Sequence, residues 1–77
     1  MAELLAYLAR ALVDKPDAVS VEQFEEEDGT LVLELTVAEE DRGKVIGRQG
    51  RTVKAMRAVV KAGGVKDGKR ILVEIVD

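Results

Sequence analysis

The chain has 77 residues and a net charge of −3, which is enough for one small domain that buries only about 60% of its unfolded surface. It contains no cysteine and no histidine, so disulfides, thiolate metal sites, the commonest metal ligand and the usual general base near neutral pH are excluded. No apolar run approaches the roughly 20 residues that span a bilayer. We therefore expect a single non-catalytic domain over residues 1–77, without a metal or cofactor.

The first half of the chain predicts a helix and a β-hairpin. Leucines and alanines at helical spacing predict a helix over residues 2–14, which the single proline ends. Alternating apolar residues predict strands over 18–26 and 30–37, joined by a two-residue turn at Asp28-Gly29. The alternation slips at Phe24, which we interpret as a bulge or a local twist.

The second half predicts two helices and a last strand. Carboxylates at 39–41 suit the positive end of a short helix that runs to Ile46. A longer helix is predicted over 51–62 and a strand over 70–76. The apolar stripe of the longer helix consists of Val53, Met56, Val59 and Val60. The order helix, strand, strand, helix, helix, strand predicts an α+β fold with the helices packed on one face of a three-stranded sheet.

Two glycines, Gly47 and Gly50, lie between the two helices of the second half. Glycine suits such a turn because it takes positive φ and lets a ligand backbone approach closely. The turn leads into the N-terminal end of the longer helix, where unpaired N–H groups and the dipole favour an anion. Arg48 and Arg51 add positive charge, while the absence of a following Gly-Lys-Ser/Thr excludes a Walker-type loop.

Charge is distributed unevenly around this turn. Residues 1–41 hold 12 acidic and 2 basic residues, whereas residues 42–77 hold 10 basic and 3 acidic residues. Seven of the basic residues fall in an acid-free segment: Arg42, Lys44, Arg48, Arg51, Lys54, Arg57 and Lys61. Because local field sets the encounter with a charged ligand, this pattern favours a polyanion as partner. Two oppositely charged surfaces that only serve solubility would give the same count.

The glycine spacing also occurs in a plain turn between helices, where both glycines only cap the helix ends. A capping turn does not need a basic tip such as Arg48, and it does not need the acid-free surroundings. The combination favours single-stranded RNA, bound through its phosphates. The alternative is a protein-interaction or dimerisation module in which the turn is purely structural.

The string IGRQGRTV, from Ile46 to Val53, resembles the signature of a KH domain. The whole chain resembles the small bacterial single-KH proteins of the KhpA (YlqC) family, and its element order is that of the type II KH fold. The resemblance implies that Gly47–Gly50 clamps the backbone of about four nucleotides. The bases would lie between the two motif helices and the last strand, with Gly63–Lys69 as the variable loop at the groove edge. The RNA-binding residues expected on this basis are Lys44, Ile46, Gly47, Arg48, Gln49, Gly50, Arg51 and Lys54.

The resemblance further implies a cytoplasmic RNA chaperone that acts with a KhpB-type KH protein in the control of cell shape and peptidoglycan homeostasis. A homodimer or that hetero-partner would raise avidity without new contacts to RNA. An aromatic stacking platform is not expected, because the only aromatic residues are Tyr7 and Phe24, neither of which is near the motif. The acidic Glu3 stands where a signal peptide carries basic residues, so no signal peptide and no membrane insertion are expected.

Other charged residues allow two interpretations. On the longer helix, the basic residues either extend the phosphate track or form a solvated face; these are Lys54, Arg57 and Lys61. Nearer the C-terminus, the basic residues either close the groove edge or are solvated; these are Lys66, Lys69 and Arg70. The acidic run 25–28 is interpreted as a solvated strand end and turn instead of a metal site, because consecutive strand positions point to opposite faces.

Overall fold

The computed structural model describes residues 2–64 and 70–76. In these residues the chain forms α1 (Ala2–Leu12), β1 (Ser20–Glu25), β2 (Leu31–Thr36), α2 (Arg42–Ile46), α3 (Arg51–Gly64) and β3 (Ile71–Ile75). Short 3₁₀ turns precede β1, α2 and α3. The predicted element order and the α+β class are confirmed. The predicted bounds hold to within two residues, except that the carboxylates at 39–41 form a separate 3₁₀ turn before α2.

The sheet has the order β1-β2-β3. β1 pairs antiparallel with β2, and β2 pairs parallel with β3, so that Leu33 lies between Gln23 and Val73. The parallel pairing requires a crossover between β2 and β3, which α2 and α3 provide. As a result β3 lies at one edge of the sheet, with α3 packed beside it.

The helices pack on one face of the sheet, as predicted. The core joins side chains of all three helices to alternate residues of the strands. Its fully buried apolar members with the largest volume are Leu5, Leu33, Leu35, Val45 and Val60. Val59 was expected in the apolar stripe of α3, but its side chain is 48% exposed. The side chain of Val59 lies on the flank of α3 that faces α1. The other three residues of the predicted stripe, Val53, Met56 and Val60, are buried in the core.

The slip of alternation at Phe24 is not a bulge. The register between β1 and β2 is uninterrupted, and Phe24 lies opposite Val32 on the face of the sheet that the helices leave open. Val32 in turn lies opposite Leu72 on β3. The open face therefore carries an apolar row of its own, which made the alternation of β1 look irregular.

The hairpin turn is one residue longer than predicted. Glu26 N–H donates to Thr30 O at 2.8 Å and Gly29 N–H donates to Glu26 O at 2.9 Å, which leaves Glu27, Asp28 and Gly29 as the loop. Gly29 has a φ of +89°, typical of the third position of such loops. The Asp28 carboxylate accepts the Thr30 N–H at 2.9 Å, and this hydrogen bond lowers the pKa of Asp28.

Asp41 joins the end of α1 to the start of α2. Its carboxylate accepts the backbone N–H groups of Asp14 at 3.3 Å and Lys15 at 3.0 Å, and the residue is 1% exposed. Because these N–H groups turn to Asp41 instead of to helix carbonyls, α1 ends at Leu12 and not at the predicted residue 14. The sequence had suggested only a helix-start role for this carboxylate.

We expect Asp41→Ala to lower the free energy of unfolding by roughly 2–4 kcal/mol, because two N–H groups lose a charged acceptor. Urea unfolding followed by circular dichroism measures the change. Glu40→Ala is the matched control, since Glu40 is an exposed carboxylate whose ion pair with Lys15 lies at the surface. Surface pairs contribute little, so equal losses for the two variants would contradict the structural role of Asp41.

Candidate nucleic-acid interface

Both predicted glycines of the turn between α2 and α3 have a positive φ, and at Gly47 a side chain would also collide with α3. Gly47 has φ 76° and ψ 173°, and Gly50 has φ 75°. Gly47 N–H donates to Gly43 O at 2.9 Å, and Gly50 N–H donates to Gly47 O at 3.1 Å. At Gly47 a Cβ atom would lie 2.1 Å from Thr52 Oγ1 and 2.8 Å from Thr52 N. The backbone therefore closes against the first turn of α3 as only a residue without a side chain permits.

Gln49 forms the tip of this turn together with Arg48. Its φ of 58° and ψ of 26° lie in the left-handed region, and it is the one non-glycine residue with positive φ among residues 2–64 and 70–76. That conformation costs a residue with a Cβ atom about 1–2 kcal/mol. Both tip side chains are exposed, so the strained backbone holds an amide and a guanidinium in solvent.

The predicted site residues fall into three groups. Ile46 and residues 47–51 form a contiguous surface around the turn, on which Ile46 is 39% exposed. Lys54 lies one helical turn further along α3 and is exposed. Lys44 instead forms an ion pair with Asp14, after the end of α1. The hydrogen bond from Lys44 to Asp14 raises the pKa of Lys44, so its charge is already partly compensated.

The cations at the turn are unpaired within the described part of the chain. Arg48, Arg51 and Lys54 form no ion pair and no side-chain hydrogen bond with residues 2–64 or 70–76. They lie together at the N-terminal end of α3, where the helix dipole is positive. This end of the molecule therefore presents an uncompensated positive surface that favours anions.

Arg57 does not lie on a fully solvated face, which was one of the two positions considered from the sequence. Its Nε–H donates to the backbone oxygen of Val73 at 3.1 Å, and the residue is half-buried. Arg57 therefore bridges α3 to the edge strand β3 instead of lying on a solvated face. Its position on the flank of the apolar stripe, next to Met56, was the sequence signal for contact with the sheet.

A cleft of about 290 Å³ lies between α3 and β3, lined by Arg57, Lys61, Leu72, Val73 and Glu74. This is the region between a motif helix and the last strand in which the family resemblance placed the bases. Of the expected variable loop, residues 65–69 lie outside the described residues, and so do Lys66 and Lys69.

Arg70 lies away from this cleft. Its backbone oxygen accepts the Leu31 N–H at 2.8 Å, and its charge contributes to lowering the pKa of Asp28 after the Thr30 hydrogen bonds. Arg70 is therefore beside the hairpin turn, and it does not extend the cationic surface of the Gly47–Gly50 turn.

The model of the family described as KhpA/KhpB, KH domain, matches residues 2–75. The chain belongs to this family. It is 53% identical over 76 residues to the RNA-binding protein KhpA of Clostridium acetobutylicum, covering 99% of this chain and 100% of that protein. It is 45% identical over 75 residues to the RNA-binding protein KhpA of Bacillus subtilis, covering 97% of this chain and 91% of that protein.

Solved structures support the KH fold. The chain is similar to Era in a crystal structure with MgGDPNP and nucleotides 1506–1542 of 16S ribosomal RNA, at a TM-score of 0.59 and 21% identity. The similarity covers 96% of this chain and 28% of Era. A crystal structure of a point variant of Aquifex aeolicus Era bound to GDP.AlF4⁻ gives the same values. At this identity the likeness concerns the fold alone.

The KH domain carries a second, apolar groove between α1 and α3. This groove has a volume of about 270 Å³ and is lined by seven residues: Leu8, Ala11, Leu12, Thr52, Ala55, Met56 and Val59. Leu12 of α1 is 40% exposed here. The groove lies on the flank of α3 opposite to Arg57, so this helix separates an apolar surface from a cationic one.

No group of three or more carboxylate, histidine or cysteine side chains in residues 2–64 and 70–76 could hold a metal ion. In the same residues, no helix combines the length and the apolar character that crossing a bilayer requires.

Proposed function

We propose that this chain is a non-catalytic RNA-binding protein that grips about four nucleotides of single-stranded RNA through the Gly47–Gly50 turn. The observation that carries the proposal is the closed backbone of the turn, with an exposed and unpaired Arg48 at its tip. Relatives that cover the full length and are named RNA-binding protein KhpA support it.

The residues of the turn have different roles in this proposal. Gly47 and Gly50 shape the backbone so that a phosphate can approach closely. Arg48, Arg51 and Lys54 neutralise phosphates, and Gln49 donates or accepts hydrogen bonds at the tip. Ile46 offers apolar surface beside the turn. Lys44 contributes less than the other cations, because Asp14 competes for its ammonium group.

We also propose an RNA chaperone role with a second KH protein, of the KhpB type or another copy of this chain. One short groove grips few nucleotides, and a second site raises avidity. The apolar groove between α1 and α3 favours such a contact, since it leaves Leu12 and Val59 partly exposed. The proposed connection to cell-envelope control rests on the family resemblance alone, and the proposed cytoplasmic location rests on the sequence pattern. A pure protein-interaction module is the second candidate, favoured by the same groove.

A salt titration tests RNA binding. The probe is a labelled single-stranded RNA of about eight nucleotides, which is twice the length of the expected site. We expect a plot of the logarithm of affinity against the logarithm of salt concentration to fall with a slope of roughly −2 to −3, because three or four phosphate contacts give this slope. Fluorescence anisotropy measures it. The same RNA annealed to its complement is the control, and it should bind more weakly because its bases are stacked and paired. No binding at low salt, together with self-association in sedimentation, would favour the protein-interaction module.

A further inference from the structure

The face of the sheet that the helices leave open carries two rows of side chains with opposite character. The first row is apolar and runs across the three strands as Phe24, Val32 and Leu72. The second row is acidic and is in register in the same way, as Glu22, Glu34 and Glu74. Because every second residue of a strand lies on the same face, the two rows are neighbours about 7 Å apart, and each is about 10 Å long.

The apolar row is only partly covered. Val32 in its centre is 3% exposed, but Phe24 and Leu72 on either side of it are 45% and 41% exposed. Single exposed apolar residues are common on protein surfaces, whereas these two belong to one continuous row. Contiguous apolar surface with a polar border is typical of an interaction site.

The glutamate row lacks compensating charge. Its three carboxylates form no ion pair with residues 2–64 or 70–76. Like charges directly opposite each other on neighbouring strands repel and destabilise the sheet. A cationic partner would replace this repulsion by attraction, so the row favours a ligand with positive charges at a similar spacing.

The charge of the row also decides which class of macromolecule fits. A nucleic acid would bring its phosphates against three carboxylates. A second copy bound through the same face would bring both glutamate rows into one interface, because a two-fold dimer uses the same surface on both subunits. The open face therefore favours a different protein, one that carries basic and apolar side chains next to each other.

A helix matches the dimensions of the two rows. Two turns of an α-helix are about 11 Å long, which is close to the length of each row. An amphipathic helix presents an apolar stripe beside a polar one. An extended segment points every second side chain away from the sheet, so it presents one row instead of two.

We propose that the open face of the sheet binds a basic amphipathic helix of a partner protein. The apolar stripe of this helix packs on Phe24, Val32 and Leu72, and its lysines or arginines pair with the glutamate row. Because the three helices of the domain pack on the other face of the sheet, this site differs from the apolar groove between α1 and α3 and from the Gly47–Gly50 turn. The inference does not depend on RNA binding.

The probe for this site is a synthetic helical peptide of alanine, leucine and lysine, with the leucines in one stripe and the lysines in the adjacent stripe. Its length is about 15 residues, at which an isolated helix begins to form. When the peptide is titrated into the isotope-labelled chain, we expect amide chemical-shift changes in β1, β2 and β3 and none at the Gly47–Gly50 turn. A peptide of the same composition in scrambled order is the control and should bind more weakly.

Variants in β1 test both rows, because Leu72 and Glu74 also line the cleft beside α3. Glu22→Lys replaces an attraction by a repulsion at an exposed position and should weaken peptide binding at least about fivefold. Glu3→Lys makes the same charge change at an exposed position of α1, so it is the matched control and should change the affinity less than about twofold. Phe24→Ala should also weaken binding at least about fivefold, because it removes apolar contact area.

Thermal melting shows whether each variant is folded at the temperature of the titration, and Glu22→Lys carries the test if Phe24→Ala is not. Absence of binding at millimolar peptide, or affinity that is insensitive to a folded variant of either row, would overturn the inference. An equal loss in Glu3→Lys, or shifts centred on the groove between α1 and α3, would overturn it as well. Shifts on the open face that depend on protein concentration without peptide would show that a second copy of this chain covers it, and the proposed partner would be wrong.

Discussion

Replacing Arg48 and Gln49 together by aspartate is expected to weaken binding of single-stranded RNA by at least about 100-fold at about 0.1 M salt. The double variant changes the charge of an exposed tip by three units, from attraction to repulsion of phosphate. The fold should tolerate it, because Arg48 is exposed and aspartate accepts the left-handed conformation of Gln49 better than most residues. Fluorescence anisotropy and thermal melting measure the two properties on the same samples.

The control must separate a local effect from a change in total charge. Arg10→Asp with Gln23→Glu makes the same change of three units at exposed positions of α1 and β1, outside the turn. It should weaken RNA binding only a few-fold, because salt screens charges that lie more than about 10 Å from the ligand. If both double variants lose binding equally, or if the aspartate tip binds RNA like the wild type, the turn is not the binding site.

Local sequence patterns were sufficient to predict the elements of this fold. Alternating apolar residues predicted β2 and β3, and apolar residues at helical spacing predicted α1 and α3. The tight turn between two helices predicted a positive φ at Gly47. These features depend on neighbours within a few positions, which the sequence displays directly. The same reasoning failed where apolar residues lie outside the core, as at Phe24 and Val59.

Contacts between distant residues could not be predicted from such patterns. Asp41 binds backbone groups 26 and 27 residues away, and Arg57 binds the carbonyl of Val73 across 16 residues. Both contacts depend on how the helices approach each other and the sheet. The hairpin loop is an intermediate case, because its turn residues were predicted from the sequence but its three-residue length, with the Asp28 carboxylate bound to the Thr30 N–H, was not.

The two flanks of α3 suggest how variants can separate functions. Arg57 and Lys61 lie beside β3, whereas Ala55 and Val59 line the apolar groove against α1. Under the proposed function, substitutions on the second flank affect a protein partner, whereas substitutions at the turn before α3 affect RNA. The helix core between them, which includes Val60, stays unchanged in both cases.

Gly47→Ala is expected to be the most destabilising substitution in the turn, by roughly 3–5 kcal/mol. Its φ and ψ of 76° and 173° lie where essentially only glycine is found, and the added Cβ would lie 2.7 Å from Thr52 Cβ and 2.8 Å from Thr52 N. A domain of this size has a stability of roughly 4–12 kcal/mol. A melting temperature lower by at least about 12 °C is therefore expected, as measured by circular dichroism.

Three variants show which part of this cost is steric. Gly43→Ala adds a methyl group in α2 with open space around it, so it should be neutral or stabilise by up to about 1 kcal/mol. Gly50→Ala meets no atom closer than 4.0 Å and should cost only about 1–2 kcal/mol for its positive φ. In the background of Gly47→Ala, Thr52→Ala removes the Oγ1 contact but keeps the Cβ and N contacts, so it should restore only part of the stability. Equal melting of Gly47→Ala and Gly43→Ala would show that the turn does not close against Thr52. Because Gly47→Ala acts through folding, it cannot test RNA contact, and the aspartate tip, which leaves both glycines in place, is the variant that does.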